Sequence, residues 1–154
     1  MQLRHLFALL SSLACSAAFA QTAADRLEIK DAWVRLNPPG TSVTGAFMQL
    51  RNAGDKDVQV VKAESAVAKV TELHNHINEG GVMKMRQVPG IAIKAKAELA
   101  LKPGSYHVML IDLKAPLKEG DKVAITLVLD DGSSKKIEAP VTKPASEPHA
   151  HKQH

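Results

Sequence analysis

Residues 122–141 read KVAITLVLDDGSSKKIEAPV, two short segments of β-forming residues separated by a turn. In the first segment Val123, Ile125 and Leu127 alternate with other residues, which is the period of a strand with one buried face. The Asp130-Asp131-Gly132 sequence is typical of a tight turn. The stretch therefore predicts two strands, at 122–130 and 134–141, joined by a short connection.

The same pattern recurs along most of the chain. Pro38-Pro39-Gly40, Asn78-Glu79-Gly80-Gly81 and Lys102-Pro103-Gly104 separate further β-rich segments. These segments are 27–36, 43–51, 58–64, 69–76, 81–88, 96–101 and 105–114. Residues 63–68 alone suit either a helical turn or a strand. Many short strands at nearly regular spacing predict an all-β, single-domain fold, an antiparallel Greek-key β-sandwich spanning residues 21–142.

The first twenty residues have the features of a secretory signal peptide. Arg4 precedes an apolar stretch that ends in Ala18-Phe19-Ala20, the small-x-small pattern that signal peptidase cleaves. We therefore expect cleavage after Ala20, a periplasmic protein and no stable membrane insertion, since the apolar stretch is too short for an anchor. A lipoprotein signal ending at Cys15 is an alternative, although Ser12 occupies the position where a large aliphatic residue is usual.

Composition excludes several classes of protein. The 154 residues include 3% aromatic residues and carry a net charge of +4, with the lysines scattered along the chain. A nucleic-acid groove would need stacked aromatics and clustered cations, so no nucleic-acid partner is expected. Cys15, the single cysteine, has no partner for a disulfide. It falls within the expected signal peptide, and a blue-copper electron carrier would need a cysteine ligand.

Histidine and methionine residues are arranged so that they can meet on one sheet face. His107 and Met109 are separated by one residue, as are His74 and His76, and Met83 and Met85. Alternate residues of a strand share a face, so each pair lies on one side of its strand. Four donors from adjacent strands could therefore converge on one metal ion: His74, Met85, His107 and Met109. This set suits Cu(I), because thioethers are soft and uncharged. Each residue taken alone would sooner be explained by packing.

Three other residues with donor side chains lie outside this set. Met48, between Phe47 and Gln49 in an ordinary strand, is assigned to the core. Met83 is either a packing residue or a secondary ligand, and His76 is a possible secondary ligand that would suit Cu(II).

The spacing of the four donors resembles that of the PCuAC family of periplasmic copper chaperones. Ten residues separate His74 from Met85, twenty-one separate Met85 from His107, and His107-Val108-Met109 completes the set. Surrounding segments are also similar to the family: DAWVR at 31–35, TGAFM at 44–48, GGVMKMR at 80–86 and LKPGSYHVML at 101–110. The resemblance implies a cupredoxin-like fold, Cu(I) as cargo and no enzymatic activity. It further implies delivery to the di-copper (CuA) centre of cytochrome c oxidase, to its copper-bearing subunit directly or through a thioredoxin-like copper assembly protein.

The C-terminal segment is a second candidate site. Residues 143–154 are polar and contain three histidines, His149, His151 and His154. Clustered imidazoles on a flexible segment suit Cu(II), which prefers nitrogen donors, whereas a solvated tail with incidental histidines is the alternative.

Three other functions compete with copper delivery. A buffer or resistance protein that sequesters copper would need the same ligands, so the sequence barely separates it from a donor. A hydrolase would need a nucleophile, a base and an orienting group, and only Ser105 and His107 lie near each other. A structural β-domain without a metal site is the remaining alternative.

Overall fold

The computed structural model describes residues 20–144. All nine segments predicted as strands contain one, and a short helix, α1, and a three-residue strand, β6, are additional. No helix in that range is long and apolar enough to cross a membrane. The elements are α1 Ala23–Arg26, β1 Leu27–Arg35, β2 Thr44–Asn52, β3 Val58–Glu64, β4 Ala68–Glu79, β5 Val82–Gln87, β6 Ile91–Ile93, β7 Glu98–Leu101, β8 His107–Leu113, β9 Lys122–Leu129 and β10 Ser134–Thr142.

The strands form two hydrogen-bonded groups, which are joined where an edge strand of one pairs with an edge strand of the other. The first half-sheet has the order β5-β4-β8-β2-β1, with β7 also paired to β2, and the second has the order β10-β9-β3-β6. A parallel pairing of β1 with β10, at Val34 and Val141, joins them, and the other strand pairs among residues 20–144 are antiparallel. Neighbouring strands are often distant in sequence, as β8 is from β2. The predicted all-β fold is confirmed, and the parallel pair is a detail that the antiparallel prediction missed.

One hydrophobic core lies between the two half-sheets. Leu50 and Val108 enter it from the first half-sheet, and Ile125 and Leu127 enter it from the second. All four are fully buried, and burial of each such side chain contributes about 1.5–3 kcal/mol. Packing against the core fixes the positions of β2 and β8. The side chains on the outer face of these strands are therefore also held in fixed positions.

A β-bulge in β1 sets which residues reach that outer face. The register with β2 shifts between Lys30 and Trp33, and Asp31 in the bulge adopts a φ of 51°. An extra residue in a strand reverses the side to which the following side chains point. After the bulge, Val34 is buried in the core, so its neighbours Trp33 and Arg35 lie on the outer face.

Strands β4 and β5 form a long hairpin at the edge of the first half-sheet. Gly80 and Gly81 close it with φ values of 62° and 86°, the left-handed conformation that a two-residue hairpin turn requires. Every residue of β5 is exposed. Because β4 continues to Glu79, His74 lies well within the strand, whereas the predicted strand ended at residue 76, two residues after His74.

Candidate metal centre

The predicted donors share the outer face of the first half-sheet. In the strand registers His74 is opposite His107, and His76 is opposite Met85. Residues directly opposite each other in an antiparallel pair present their side chains on the same face. Met109 is two residues from His107, so it shares this face as well. The structure therefore places the four predicted ligands and His76 on one surface.

His107 is the best-defined donor. Its side chain is buried, with 2% of the residue exposed, and its Nδ1 lies 2.8 Å from the carbonyl oxygen of Ser105. A carbonyl only accepts, so Nδ1 carries the proton and Nε2 holds the free lone pair. Nε2 is buried and has no hydrogen-bond partner among the described residues. A buried polar atom without a partner is costly, and a metal ion would satisfy it.

The environment of His107 keeps its imidazole neutral. Burial lowers its pKa, and the hydrogen bond to Ser105 opposes this shift. The nearby His76, His74 and Arg35 also lower the pKa by charge repulsion. A neutral imidazole is the form that binds a metal, so the protein holds this ligand ready at neutral pH.

His74 has the same arrangement with its two nitrogens exchanged. Its Nε2 lies 2.7 Å from Oε2 of Glu72, while its Nδ1 is buried with no partner within residues 20–144. Histidine ligands typically donate their other N–H to a carboxylate or a backbone carbonyl, which fixes the ring and its tautomer. Glu72 serves His74 in this way, as Ser105 serves His107. The ring centres of the two histidines are 5.9 Å apart.

His76 also lies close to His107, at 5.4 Å between ring centres. Two imidazoles that each bind one ion at about 2 Å hold their ring centres about 5–6 Å apart, so both His74 and His76 are near enough to share an ion with His107. The Nδ1 of His76 is buried without a hydrogen-bond partner in the described part of the chain. Unlike His74, however, His76 has no carboxylate or carbonyl that orients its ring among those residues.

The methionines divide into three kinds. Met48 is 1% exposed and belongs to the core, as predicted. Met85 is 42% exposed on the edge strand, and Met109 is half-buried beside His107. Met83 is 55% exposed, so it is not a core residue, and it is opposite Asn78 near the tip of the hairpin. Within residues 20–144 no three His, Cys, Asp or Glu side chains are arranged to hold a metal by themselves. The further donors on this face are the thioethers.

A groove of about 590 Å³ lies over this face. Its walls include His76, Met85, His107 and Met109, but His74 lies beside the groove and does not line it. Phe47 also lines it, with its ring centre 6.0 Å from that of His107. The four donors that line the groove are therefore reached from solvent through a largely apolar opening.

Phe47 on β2 and Arg35 on β1 line the groove on the side of β8 away from β5. The Phe47 ring lies 4.6 Å from that of Trp33, and the guanidinium carbon of Arg35 lies 5.2 Å from its centre. Sequence reasoning missed these residues as part of the site, although Trp33, Arg35 and Phe47 fall within the segments that resemble the PCuAC family. It also missed Glu72, whose position two residues before His74 was an available signal.

Two predicted features lie outside the described residues. These are the signal peptide, of which only Ala20 is described, and the three histidines of the tail, His149, His151 and His154.

Comparison with known proteins identifies the family. Residues 27–141 match the family described as "Putative lipoprotein LpqE-like". The chain belongs to the LpqE-like family. It is 37% identical over 119 residues to "Putative lipoprotein Lxx21020" of Leifsonia xyli subsp. xyli, covering 77% of this chain and 70% of that protein.

Solved structures confirm the PCuAC resemblance of this LpqE-like protein. The solution structure of CuI-DR1885 from Deinococcus radiodurans has a TM-score of 0.63 and 36% identity, covering 75% of this chain and 76% of that one. The copper-bound PCuAC domain from PmoF2 has a TM-score of 0.67 and 21% identity, covering 82% of this chain and 100% of that one. At that identity the PmoF2 domain shows the shared fold alone.

Proposed function

We propose that this LpqE-like protein is a copper chaperone that holds one Cu(I) through His74, Met85, His107 and Met109. The observation that carries the proposal is His107, a neutral, buried imidazole with an unpartnered Nε2 on the same face as two methionine sulfurs. The Cu(I)-bound state of the relative DR1885, which is 36% identical to this chain, supports copper as the cargo.

The donor set suits Cu(I) more than other metals. Thioether sulfur is soft and uncharged, and imidazole accepts copper in either oxidation state. A site without thiolate or carboxylate ligands offers little to Zn(II) and does not form disulfides in an oxidising compartment. The protein's role is to exchange an ion, with no covalent chemistry.

His76 and the tail extend the proposal to Cu(II). His76 is close enough to His107 to replace a thioether when the ion is oxidised, because Cu(II) prefers nitrogen donors. His149, His151 and His154 would add imidazoles from the tail and raise the local supply of copper. Met83 is near enough in sequence to Met85 to serve as a secondary ligand during transfer.

The proposed setting is the periplasm, reached by cleavage after Ala20. There the protein would deliver copper to the CuA centre of cytochrome c oxidase, directly or through a thioredoxin-like assembly protein. The accessible groove supports stepwise transfer, since a partner's donors can enter over Met85, which is exposed. A copper buffer that does not donate its ion is the second candidate, because it needs the same ligands.

Anaerobic titration with Cu(I) against a chromophoric chelator tests the site. Residues 21–154 are compared with a form ending at Pro144, which keeps β10 intact. We expect one tight Cu(I) in both forms. If the shorter form bound none, the face described above would not be the site. Transfer to an apo CuA domain is then measured: its absence would favour a buffer.

A further inference from the structure

Arg35 is an arginine without a polar partner. The other arginines of residues 20–144 each have one: Arg26 donates to a backbone carbonyl, Arg51 pairs with two glutamates, and Arg86 forms a two-bond pair with a glutamate. Arg35 makes no hydrogen bond or ion pair through its guanidinium among the described residues, and its Nε is buried. A buried N–H group normally has a hydrogen-bond acceptor, so the lack of one at Arg35 requires an explanation.

The guanidinium is held in place without being neutralised. Arg35 is the last residue of β1, and its carbonyl oxygen accepts the hydroxyl of Thr44 at 2.6 Å. Its guanidinium carbon lies 5.2 Å from the centre of the Phe47 ring, a cation–π contact that orients the planar group. The bulge at Asp31 places the Arg35 side chain on the outer face of β1. The charge is therefore preorganised at the groove wall.

The groove has the size and character of a small-molecule site. Its volume of about 590 Å³ is much larger than one metal ion requires and falls within the range of about 300–1,000 Å³ typical of ligand pockets. Several lining residues are apolar, among them Val43, Phe47 and Pro103, and the groove has no acidic lining residue. Arg35 is its one permanently charged lining group in the described chain. The guanidinium fork matches a carboxylate, which it binds through two parallel hydrogen bonds.

We propose that this groove binds a small organic carboxylate, whose carboxyl group pairs with Arg35 and whose remaining atoms lie against Phe47 and Met109. Ligands of this class include amino acids and their acylated derivatives. The binding itself does not require copper. Where the carboxylate also carries a sulfur or nitrogen donor, that donor would lie beside His107, and this last step rests on the proposed copper site.

The test uses N-acetyl-L-methionine as the probe and the copper-free protein of residues 21–154. N-acetyl-L-methioninamide, which replaces the carboxylate with an uncharged amide, is the matched probe. Methyl signals of labelled methionines report the location, because Met85 and Met109 line the groove whereas Met48 is in the core. We expect the acid to shift the signals of Met109 and Met85, and to bind at least tenfold more tightly than the amide.

Variants assign the effect to Arg35. Arg35→Gln should weaken binding of the acid at least tenfold, to the level of the amide, and Arg35→Lys should retain part of it. Arg51→Gln is the control, because Arg51 is exposed and is not a groove residue. Equal binding of acid and amide by the wild type, or full binding of the acid by Arg35→Gln, would overturn the proposal. If Arg35→Gln does not fold, as judged from the Met48 signal, the comparison of the two probes on wild-type protein still decides.

A parallel Cu(I) titration separates this proposal from the copper site. Loss of acid binding by Arg35→Gln with Cu(I) affinity retained supports a distinct carboxylate subsite. Loss of Cu(I) affinity with acid binding retained would place Arg35 in the metal centre and refute the subsite. Failure of the wild type to bind Cu(I) would refute the proposed chaperone function while leaving the result with the two probes intact.

Discussion

Replacing His107 with leucine distinguishes a residue kept for metal binding from one kept for the fold. In the metal-free protein its imidazole makes one hydrogen bond, to Ser105, and its Nε2 is buried without a partner. The hydrogen bond contributes about 0.5–1.5 kcal/mol, whereas an unsatisfied buried atom costs about 1–3 kcal/mol. Leucine removes both, and water can reach the carbonyl of the half-buried Ser105. We expect the free energy of unfolding to stay constant or to rise by about 1 kcal/mol.

The same substitution should abolish the stabilisation that copper gives. A ligand at 100 times its dissociation constant stabilises the folded state by about 2.7 kcal/mol. Urea denaturation under anaerobic conditions, with and without chelator-buffered Cu(I), measures both effects on one pair of proteins. Wild type should gain stability with Cu(I), and His107→Leu should not.

Asn52→Leu is the matched control, since Asn52 is a buried polar residue whose groups are all paired. Its Nδ2 donates to Lys56 and Ile93, and its Oδ1 accepts the N–H of Gly54. Losing three such bonds should cost at least about 3 kcal/mol. If His107→Leu destabilises the metal-free protein as much as Asn52→Leu does, the imidazole is structural. If it keeps the full stabilisation by Cu(I), His107 is not a ligand. Either result would refute the reasoning.

Three further predictions concern other residues. His74→Asn should lower Cu(I) affinity at least tenfold and His76→Asn should lower it little, as measured by chelator competition; the reverse order would make His76 the ligand. Met48→Ala should lower the free energy of unfolding by about 2–5 kcal/mol in urea, whereas Met83→Ala should not change it measurably, because only Met48 is buried. The pKa of Asp131 is held at about 2, chiefly by a backbone N–H of α1, so this carboxylate contributes stability that is present above about pH 4 and is lost as pH falls toward 2. Asp131→Asn should therefore flatten the acid side of the curve of unfolding free energy against pH. An unchanged curve would contradict the assignment.

The strands could be predicted from sequence because their signal is local. Alternation of apolar residues and the intervening turn residues located all nine predicted strands, with bounds that differ by up to three residues. Strand β6, Ile91–Ile93, was missed because three residues are too short to show alternation. The parallel pairing of β1 with β10 was missed for a different reason: it depends on how two distant segments meet, which no local pattern records.

The candidate site was predictable only in part. Strand parity indicated correctly that His107 and Met109 share a face, and the registers place His74 and Met85 there too. The sequence could not predict the hydrogen bond that orients the His107 imidazole. Its partner is a backbone carbonyl, a group that every residue has. The position of Arg35 depends on the bulge at Asp31, which has a left-handed backbone conformation. The residue types around Asp31 did not predict this bulge.

The two sides of the proposed site differ in how firmly they are held, and this difference bears on release. His107 lies on a central strand, between β4 and β2, with Val108 fully buried behind it. Met85 lies on an edge strand in which every residue is exposed. Edge segments with few buried contacts open at lower free-energy cost than central strands do. If the ion is held as proposed, the bond to Met85 can be exchanged first while His107 retains the copper. An incoming donor would then replace the ligands one at a time, so that the ion is never free in solution.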